Sequence, residues 1–212
     1  MAAITTQTAQ YITSIEPGTV FSFGSVVTYL KTSKKDTVNH ALKKLTHEQK
    51  IVHIKRGLYM IPQKSRFGEI PAGPSQIAKA TAENIGAKIY PGGAAVLHAL
   101  GLSTQVPMGY SYISSKRIAP FAMNAVKVQF RYSRALARVD EIESTIAPKE
   151  KELIMLIWLA LEYLGEKSIS EYESKLEKII KTLSNPAKKV LNQAFGRKLL
   201  WAKVQFNHLL QS

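Results

Sequence analysis

Residues 33–61 change from one hydrophobic periodicity to another, and this change constrains the fold more than any other feature of the sequence. Apolar side chains first recur at intervals of three and four residues, which predicts a helix with one buried stripe. Residues 51–61 (IVHIKRGLYMI) then alternate as two short strands around Arg56 and Gly57, where glycine supplies the positive φ of a tight turn. The sequence therefore predicts a helix followed directly by a β-hairpin. The stripe of the helix consists of Val38, Ala41, Leu42 and Leu45.

Two shorter elements precede this helix. Residues 5–15 read as a helix that the turn signal Glu16-Pro17-Gly18 ends. Residues 20–23 suit a short strand or the start of a second helix, with Ser22 as its N-cap. Three short helices followed by a hairpin with a basic tip are typical of a winged helix-turn-helix, which we predict for residues 1–63.

The rest of the sequence predicts two further parts. With them, the whole chain is predicted to be an α+β protein. Residues 64–147 form an α+β segment, and residues 148–212 are helical. Within the last part, residues 153–161 are apolar on all sides, which predicts a helix buried by its neighbours. Ser168 and Glu171 have the spacing of a capping box for the next helix. One last helix is expected from residue 185 to residue 210. The elements of the middle segment are expected as helices over 75–85 and 93–100 and strands over 89–90, 110–114 and 126–132.

The chain is strongly basic and contains no cysteine. Its formal net charge is +14 over 212 residues, and residues 1–64 hold nine Lys or Arg against three Asp or Glu. Such an excess attracts polyanions and favours nucleic acid as the partner. The alternative is that the charge serves only to keep the protein soluble. The longest apolar run, residues 153–161, is far shorter than the roughly 20 residues that cross a bilayer. We expect a cytoplasmic, soluble protein without a membrane partner.

The predicted third helix and the hairpin tip carry side chains suited to duplex DNA. Asn can pair with adenine, Lys with guanine or phosphate, and Thr with a thymine methyl group. The alternative is a solvated, lysine-rich helix in a winged helix that binds protein. The candidate DNA-binding residues are Ser33, Lys34, Lys35, Thr37, Asn39, His40, Lys43, Lys44, Lys55 and Arg56.

No motif predicts catalysis, a metal or a cofactor. Gly24-Ser25 followed by Asp36 approaches a nucleotidyltransferase signature, but Val38 stands where a second carboxylate would hold Mg²⁺. His40 and His47 lie seven residues apart, too far for one ion without further ligands. We therefore expect a protein that is not an enzyme. A group of acidic residues before Pro148 is expected in a solvated loop or helix start, and it consists of Asp140, Glu141 and Glu143.

Two further groups of side chains leave alternatives open. Aromatic residues on the two predicted strands form either a stacking platform for single-stranded nucleic acid or part of the core. Basic residues near the C-terminus form either a second electropositive face or the solvated side of a helix, and they are assigned no role. The aromatic group is Tyr110, Tyr112, Phe130 and Tyr132, and the basic group is Lys188, Lys189, Arg197, Lys198 and Lys203.

Three runs of small and apolar residues resemble the AbiEi-type antitoxins, the antitoxin half of type IV abortive-infection toxin–antitoxin pairs. The resemblance covers about residues 10–135. The runs are residues 55–62 (KRGLYMIP), 66–68 (RFG) and 91–107 (PGGAAVLHALGLSTQVP).

The resemblance implies an N-terminal winged helix that represses its own operon at inverted repeats. It also implies that the protein opposes a nucleotidyltransferase-like toxin without forming a stable complex with it. Because the match includes Lys55, Arg56 and Gly57, the resemblance implies that these residues form the wing. Inverted repeats are read most simply by two copies, so a homodimer on DNA is expected. The alternative is an RNA-binding or nucleic-acid-processing protein whose middle segment has an activity that no motif reveals.

Overall fold

The computed structural model describes residues 2–123, 126–134, 136 and 146–210, which form a mixed α+β protein. The chain divides into two compact units, Met1–Lys88 and Ile89–Ser212. The division into three parts that the sequence predicts has boundaries different from those of these two units, and it stays a prediction. None of the helices in the described ranges has both the length and the hydropathy of a membrane-spanning segment.

The first unit combines four helices with two small antiparallel sheets in its described residues. The larger sheet has the strand order β1-β3-β2, so the last strand of the hairpin lies in the middle. Val20 pairs with Met60 in the first ladder, and Val52 pairs with Met60 in the second. The elements are α1 (Ala2–Ser14), β1 (Val20–Ser22), α2 (Phe23–Tyr29), α3 (Lys35–His47), β2 (Val52–Lys55), β3 (Leu58–Met60), β4 (Lys64–Ser65), β5 (Gly68–Glu69) and α4 (Pro74–Asn84).

Local hydrogen bonds fix the start of α2 and the end of α3, the two helices before the hairpin. The Ser22 hydroxyl accepts a hydrogen bond from the Ser25 backbone N–H at 2.9 Å, which confirms the predicted N-cap of α2. At the end of α3, the Lys50 N–H donates to the Leu45 carbonyl and the Gln49 N–H to the Thr46 carbonyl. This is a Schellman motif with Gln49, at φ +55°, in the left-handed position that glycine usually takes.

The core of the first unit lies on both sides of β3. The stripe predicted for α3 is confirmed, because all four of its side chains are buried. Phe21 and Tyr59 stack with ring centroids 5.8 Å apart on the face that α1, α2 and α3 cover. Leu58 and Met60 are also buried, and by strand alternation they point to the opposite face, where α4 packs on β1 and β3. The middle strand is therefore apolar throughout instead of alternating.

The second unit joins a four-stranded sheet to a set of helices. The strand order is β6-β7-β9-β8, in which β7 and β9 are parallel and the other pairs antiparallel. The sequence indicated every strand of this sheet except β8. The elements are β6 (Ile89–Pro91), α5 (Ala94–Ala99), β7 (Tyr110–Ser114), β8 (Phe121–Met123), β9 (Val126–Tyr132), α6 (Pro148–Leu164), α7 (Glu173–Lys181), α8 (Asn185–Ala194), α9 (Leu200–Gln205) and α10 (Asn207–Leu210).

Helix α6 lies at the centre of the second core, as its apolar sequence predicts. It packs against α5, α8 and β6, and seven of its side chains are buried. The indole N–H of Trp158 donates to the Ala194 carbonyl at 3.0 Å, which satisfies the polar atom of a nearly buried ring.

The helices after α6 correct two predictions. The capping box expected at Ser168 is wrong, because a 3-10 turn occupies Glu166–Ser168 and α7 begins only at Glu173. Ile169 is buried there, so the segment is anchored to the core before the helix starts. The single last helix expected over 185–210 is also wrong. Gly196 adopts φ +54°, which a right-handed helix cannot continue through, and the segment forms α8, α9 and α10.

Candidate nucleic-acid interface

The first turns of α3 and the tip of the β2–β3 hairpin line one groove of about 480 Å³. Lys35, Asp36 and Asn39 face it from the helix, since residues one turn apart lie on the same side. Arg56 and Gly57 face it from the hairpin. Residues that are 17 to 22 positions apart in the chain are thus brought onto one surface.

The hairpin tip is held in place by backbone and amide hydrogen bonds. The Phe23 N–H donates to the Gly57 carbonyl at 2.8 Å, which ties the start of α2 to the turn. The Gly24 N–H donates to Asn84 Oδ1 at 3.3 Å, which ties α2 to the end of α4. Gly57 has φ +75°, and a Cβ atom there would lie 3.2 Å from Asn84 Nδ2. The predicted need for glycine at this turn is confirmed by both its φ and its close neighbour.

The ten predicted DNA-binding residues divide by exposure and by position. The groove brings together Lys35, Asn39 and Arg56, while the other seven lie outside its lining. Lys43 is one helical turn beyond Asn39, on the same side of α3. Exposed are Ser33, Lys34, Lys35, His40, Lys43, Lys44 and Arg56, and half-buried are Thr37, Asn39 and Lys55.

Nearby charges distinguish the lysines of this surface. The hydrogen bond that Lys50 donates to Glu48, at 2.8 Å, and the nearby Lys44 hold the pKa of the Glu48 carboxyl below its ordinary value. Lys44 Nζ lies 3.9 Å from the same carboxylate, so the charge of this lysine is partly neutralised by an ion pair within the protein. Burial lowers the pKa of Lys55, whose ammonium is less well solvated than that of an exposed lysine. Lys34, Lys35 and Lys43 make none of the ion pairs found among the described residues.

Sequence reasoning missed four side chains that line the groove, and one of them is Asp36 at the start of α3. Phe23 and Tyr59 form part of its wall, and Asn84 lies beside Gly57 at the hairpin tip. Burial raises the pKa of the Tyr59 phenol, so that its hydroxyl stays protonated. Asn84 belongs to α4, beyond the segment predicted to form the winged helix. No periodicity or motif in the sequence could have connected it to residues 24 and 57.

The other groups singled out in the sequence lie in the second unit or on exposed faces. Tyr112 stacks on Phe130 with ring centroids 5.7 Å apart, and both rings are half-buried. Four of the five C-terminal basic residues are exposed, and Lys188 is half-buried. In the described ranges, no three His, Asp or Glu side chains are grouped so that they could hold a metal. The acidic residues Asp140, Glu141 and Glu143 lie outside the residues that the structure describes.

Comparisons with known proteins place the chain in a family but name no activity. A family model described as "Family of unknown function (DUF6088)" matches residues 7–191. No curated protein matches the chain. The crystal structure of the RV2827C protein from Mycobacterium tuberculosis is similar with 12% sequence identity and a TM-score of 0.35, over 96% of this chain and 79% of that chain.

Proposed function

We propose that this chain, which belongs to the DUF6088 family, is a DNA-binding repressor that acts through an N-terminal winged helix-turn-helix. The observation that carries the proposal is the groove in which Lys35 and Asn39 of α3 face Arg56 of the hairpin tip. A recognition helix and a wing make the same arrangement when they read adjoining parts of a duplex.

The chemistry of each side chain suggests its role on DNA. Helix α3 enters the major groove, where the Asn39 carboxamide can form two hydrogen bonds with an adenine edge. Lys34, Lys35 and Lys43 neutralise phosphates along the rim. Arg56 extends from the hairpin tip to the backbone or the minor groove. Asp36 repels phosphate, but its carboxylate can accept a hydrogen bond from a cytosine amino group and so add to selectivity.

The proposed repressor is also the antitoxin of a type IV toxin–antitoxin pair. This part of the proposal is supported by the sequence resemblance over residues 55–62, 66–68 and 91–107. The protein represses its own operon at inverted repeats, where two copies bind as a dimer on the DNA. It opposes a nucleotidyltransferase-like toxin without a stable complex, and it performs no catalysis itself.

A second candidate function is binding of single-stranded RNA by the second unit. The aromatic row on β7, β8 and β9 favours it, since Phe130 lies next to Tyr112 and Phe121 at centroid distances of 5.7 and 6.1 Å. Exposed aromatic rings on a sheet stack with bases. The rings here are half-buried and stack on one another, which leaves less of each face for a base.

A gel-shift titration with the duplex upstream of the protein's own gene tests the DNA-binding proposal. The triple variant Lys34→Ala, Lys35→Ala and Lys43→Ala should bind at least about tenfold more weakly than the parent. The matched control Lys149→Ala, Lys178→Ala and Lys189→Ala removes the same charge from exposed positions of the second unit and should bind as the parent does. Equal affinity of the two triple variants would refute the interface, and preference for single-stranded RNA over the duplex would favour the second candidate.

Co-expression tests the antitoxin part separately. A toxin gene from the neighbouring reading frame should arrest growth, and the full chain should restore growth. In this experiment the toxin is expressed from an independent promoter. Under that condition the triple lysine variant should fail to repress the operon. Growth arrest that the parent chain does not relieve would remove the antitoxin role and leave the repressor role standing.

A further inference from the structure

The second unit contains a cavity of about 550 Å³ that lies far along the chain from the groove of α3. Strand β9 contributes Gln129 and Arg131 to its lining, helix α6 contributes Glu162 and Tyr163, and Lys198 comes from the turn between α8 and α9. The volume is in the range of pockets that hold small organic ligands. Residues around β6 and on β7 complete the lining, so that five segments of the unit converge on one concave surface.

A buried carboxylate organises two cations at this cavity. The guanidinium of Arg131 donates two hydrogen bonds to Glu162, at 2.8 Å to Oε2 and 3.4 Å to Oε1. Lys198 donates a third to Oε1 of the same carboxylate. The Glu162 side chain is only 8% exposed, whereas those of Arg131 and Lys198 are 56% and 63% exposed. The carboxylate is thus enclosed while much of each cation remains accessible.

The charge balance of this cluster is positive. Two cations share one carboxylate, which leaves an excess of one positive charge at the cavity. Arg has five N–H donors and the Lys ammonium has three, and Glu162 takes two of the former and one of the latter. The remaining donors suit an anion with several oxygen acceptors, for which the planar guanidinium is well shaped.

The walls of the cavity are shaped for more than an inorganic ion. Gly92 allows close packing, because a Cβ there would lie 3.1 Å from Ser111 Oγ and 3.2 Å from Ile113 Cδ1. Gly93, at φ +61°, has only the Tyr163 ring within 4 Å of such an atom, at 3.8 Å. Side chains are thus kept out of the space between this backbone and the Tyr163 ring. The ring is half exposed and offers a face for a planar or apolar group.

We propose that this cavity binds a small phosphorylated molecule, with its phosphate on Arg131 and Lys198 and its ring or apolar part against Tyr163. Glu162 acts as a positioning residue. It holds both cations at the cavity in the free protein and competes with the ligand phosphate for them. All residues of this site belong to the second unit, whereas those of the proposed DNA-binding surface belong to the first.

Isothermal titration calorimetry with the full chain tests the site, with AMP as the probe. AMP should bind at millimolar concentration or below, adenosine should not bind, and inorganic phosphate should bind more weakly than AMP. These three arms separate recognition of the phosphate from recognition of the ring. Arg131→Gln and Lys198→Gln should each weaken AMP binding by at least about tenfold, as expected for loss of a charge-assisted hydrogen bond.

The Glu162→Gln variant distinguishes a ligand site from a structural ion pair. Removal of the competing carboxylate frees both cations, so AMP should bind several-fold more tightly to this variant than to the parent. A purely structural cluster would give no AMP binding to any variant. Lys203→Gln, at an exposed position on α9, is the matched control and should bind AMP as the parent does.

Two results would overturn the proposal. One is the absence of AMP binding to the parent and to Glu162→Gln alike, with circular dichroism showing both folded. The other is equal AMP affinity in the parent, Arg131→Gln and Lys198→Gln, which would place the ligand elsewhere. Duplex binding by α3 should be the same in all these variants, so failure of either proposal is seen without reference to the other.

Discussion

Asn84 accepts a hydrogen bond from the backbone N–H of Gly24, 60 residues earlier in the chain, at an N···O distance of 3.3 Å. Its amide nitrogen also lies beside Gly57, at the tip of the hairpin. One side chain at the end of α4 therefore adjoins both the start of α2 and the turn that carries Arg56. The orientation of the hairpin tip depends on a helix that follows it in sequence.

Asn84→Ala should lower the free energy of unfolding of the first unit by about 1 kcal/mol, because a part-buried hydrogen bond is lost. The same change should weaken binding to the operator duplex by moving the hairpin tip. Hydrogen exchange of residues 20–60 measures the first effect and a gel shift the second. Glu83→Ala, at the preceding exposed position, is the control, and equal exchange rates in the two variants would contradict the prediction.

The salt dependence of binding should separate phosphate contacts from base contacts. Each lysine that touches a phosphate contributes about 0.9 to the slope of log K against log salt. Lys35→Ala should reduce that slope and weaken binding to every duplex equally. Asn39→Ala should leave the slope unchanged and reduce discrimination between operator and random duplex by about 1–3 kcal/mol. Fluorescence anisotropy over a series of salt concentrations measures both quantities, and identical behaviour of the two variants would argue against the assigned roles.

Gln49→Gly should stabilise the first unit. Gln49 has φ +55° at the end of α3, where a side chain costs about 1 kcal/mol relative to glycine. Gln10→Gly places the same change inside α1 at an exposed position and should destabilise the unit by about 1 kcal/mol. Hydrogen exchange of the core amides in residues 38–60 measures both changes. Destabilisation by both variants would show that the end of α3 carries no strain.

The pH dependence of stability in the second unit should depend on Glu162. Burial by itself raises the pKa of this carboxyl, but the hydrogen bonds from Arg131 and Lys198 outweigh it and hold the pKa below 4.5. Because the unfolded chain binds a proton more tightly, the ionised carboxylate stabilises the fold above pH 4.5 and stops doing so as the pH falls through the folded-state pKa.

Glu162→Gln should therefore lose less stability than the parent as the pH falls below 4.5. The two tryptophans of the chain, Trp158 and Trp201, both belong to the second unit, so their fluorescence during urea unfolding measures its stability alone. Glu166→Gln, at an exposed position just after α6, is the control and should follow the parent. A parallel loss of stability in all three proteins would show that Glu162 does not contribute.

Local features of the structure could be predicted from the sequence, since neighbouring residues determine them. The buried stripe of α3, the N-cap at Ser22 and the turn at Gly57 each depend on a few adjacent positions. The break at Gly196 was missed because apolar spacing continues on both sides of it. Helical periodicity does not show where a glycine takes a left-handed conformation.

Contacts between distant segments could not be predicted in the same way. The parallel pairing of Tyr112 with Phe130 and the contact of Asn84 with Gly24 depend on how separate elements pack. The candidate DNA-binding side chains of α3 and the hairpin were indicated by the sequence, but the groove that joins Lys35 to Arg56 was not. The cluster around Glu162 draws its three charges from positions 131, 162 and 198, which no motif connects.

The packing of α4 on β1 and β3 has a practical consequence for anyone who expresses the N-terminal part alone. A fragment that stops at residue 63 lacks α4, so Leu58 and Met60 are exposed to solvent on one side of the sheet. We expect this fragment to aggregate or to be digested quickly by trypsin. A fragment that stops at residue 88 retains the helix that covers them. We expect this fragment to withstand the protease and to crystallise with an operator duplex.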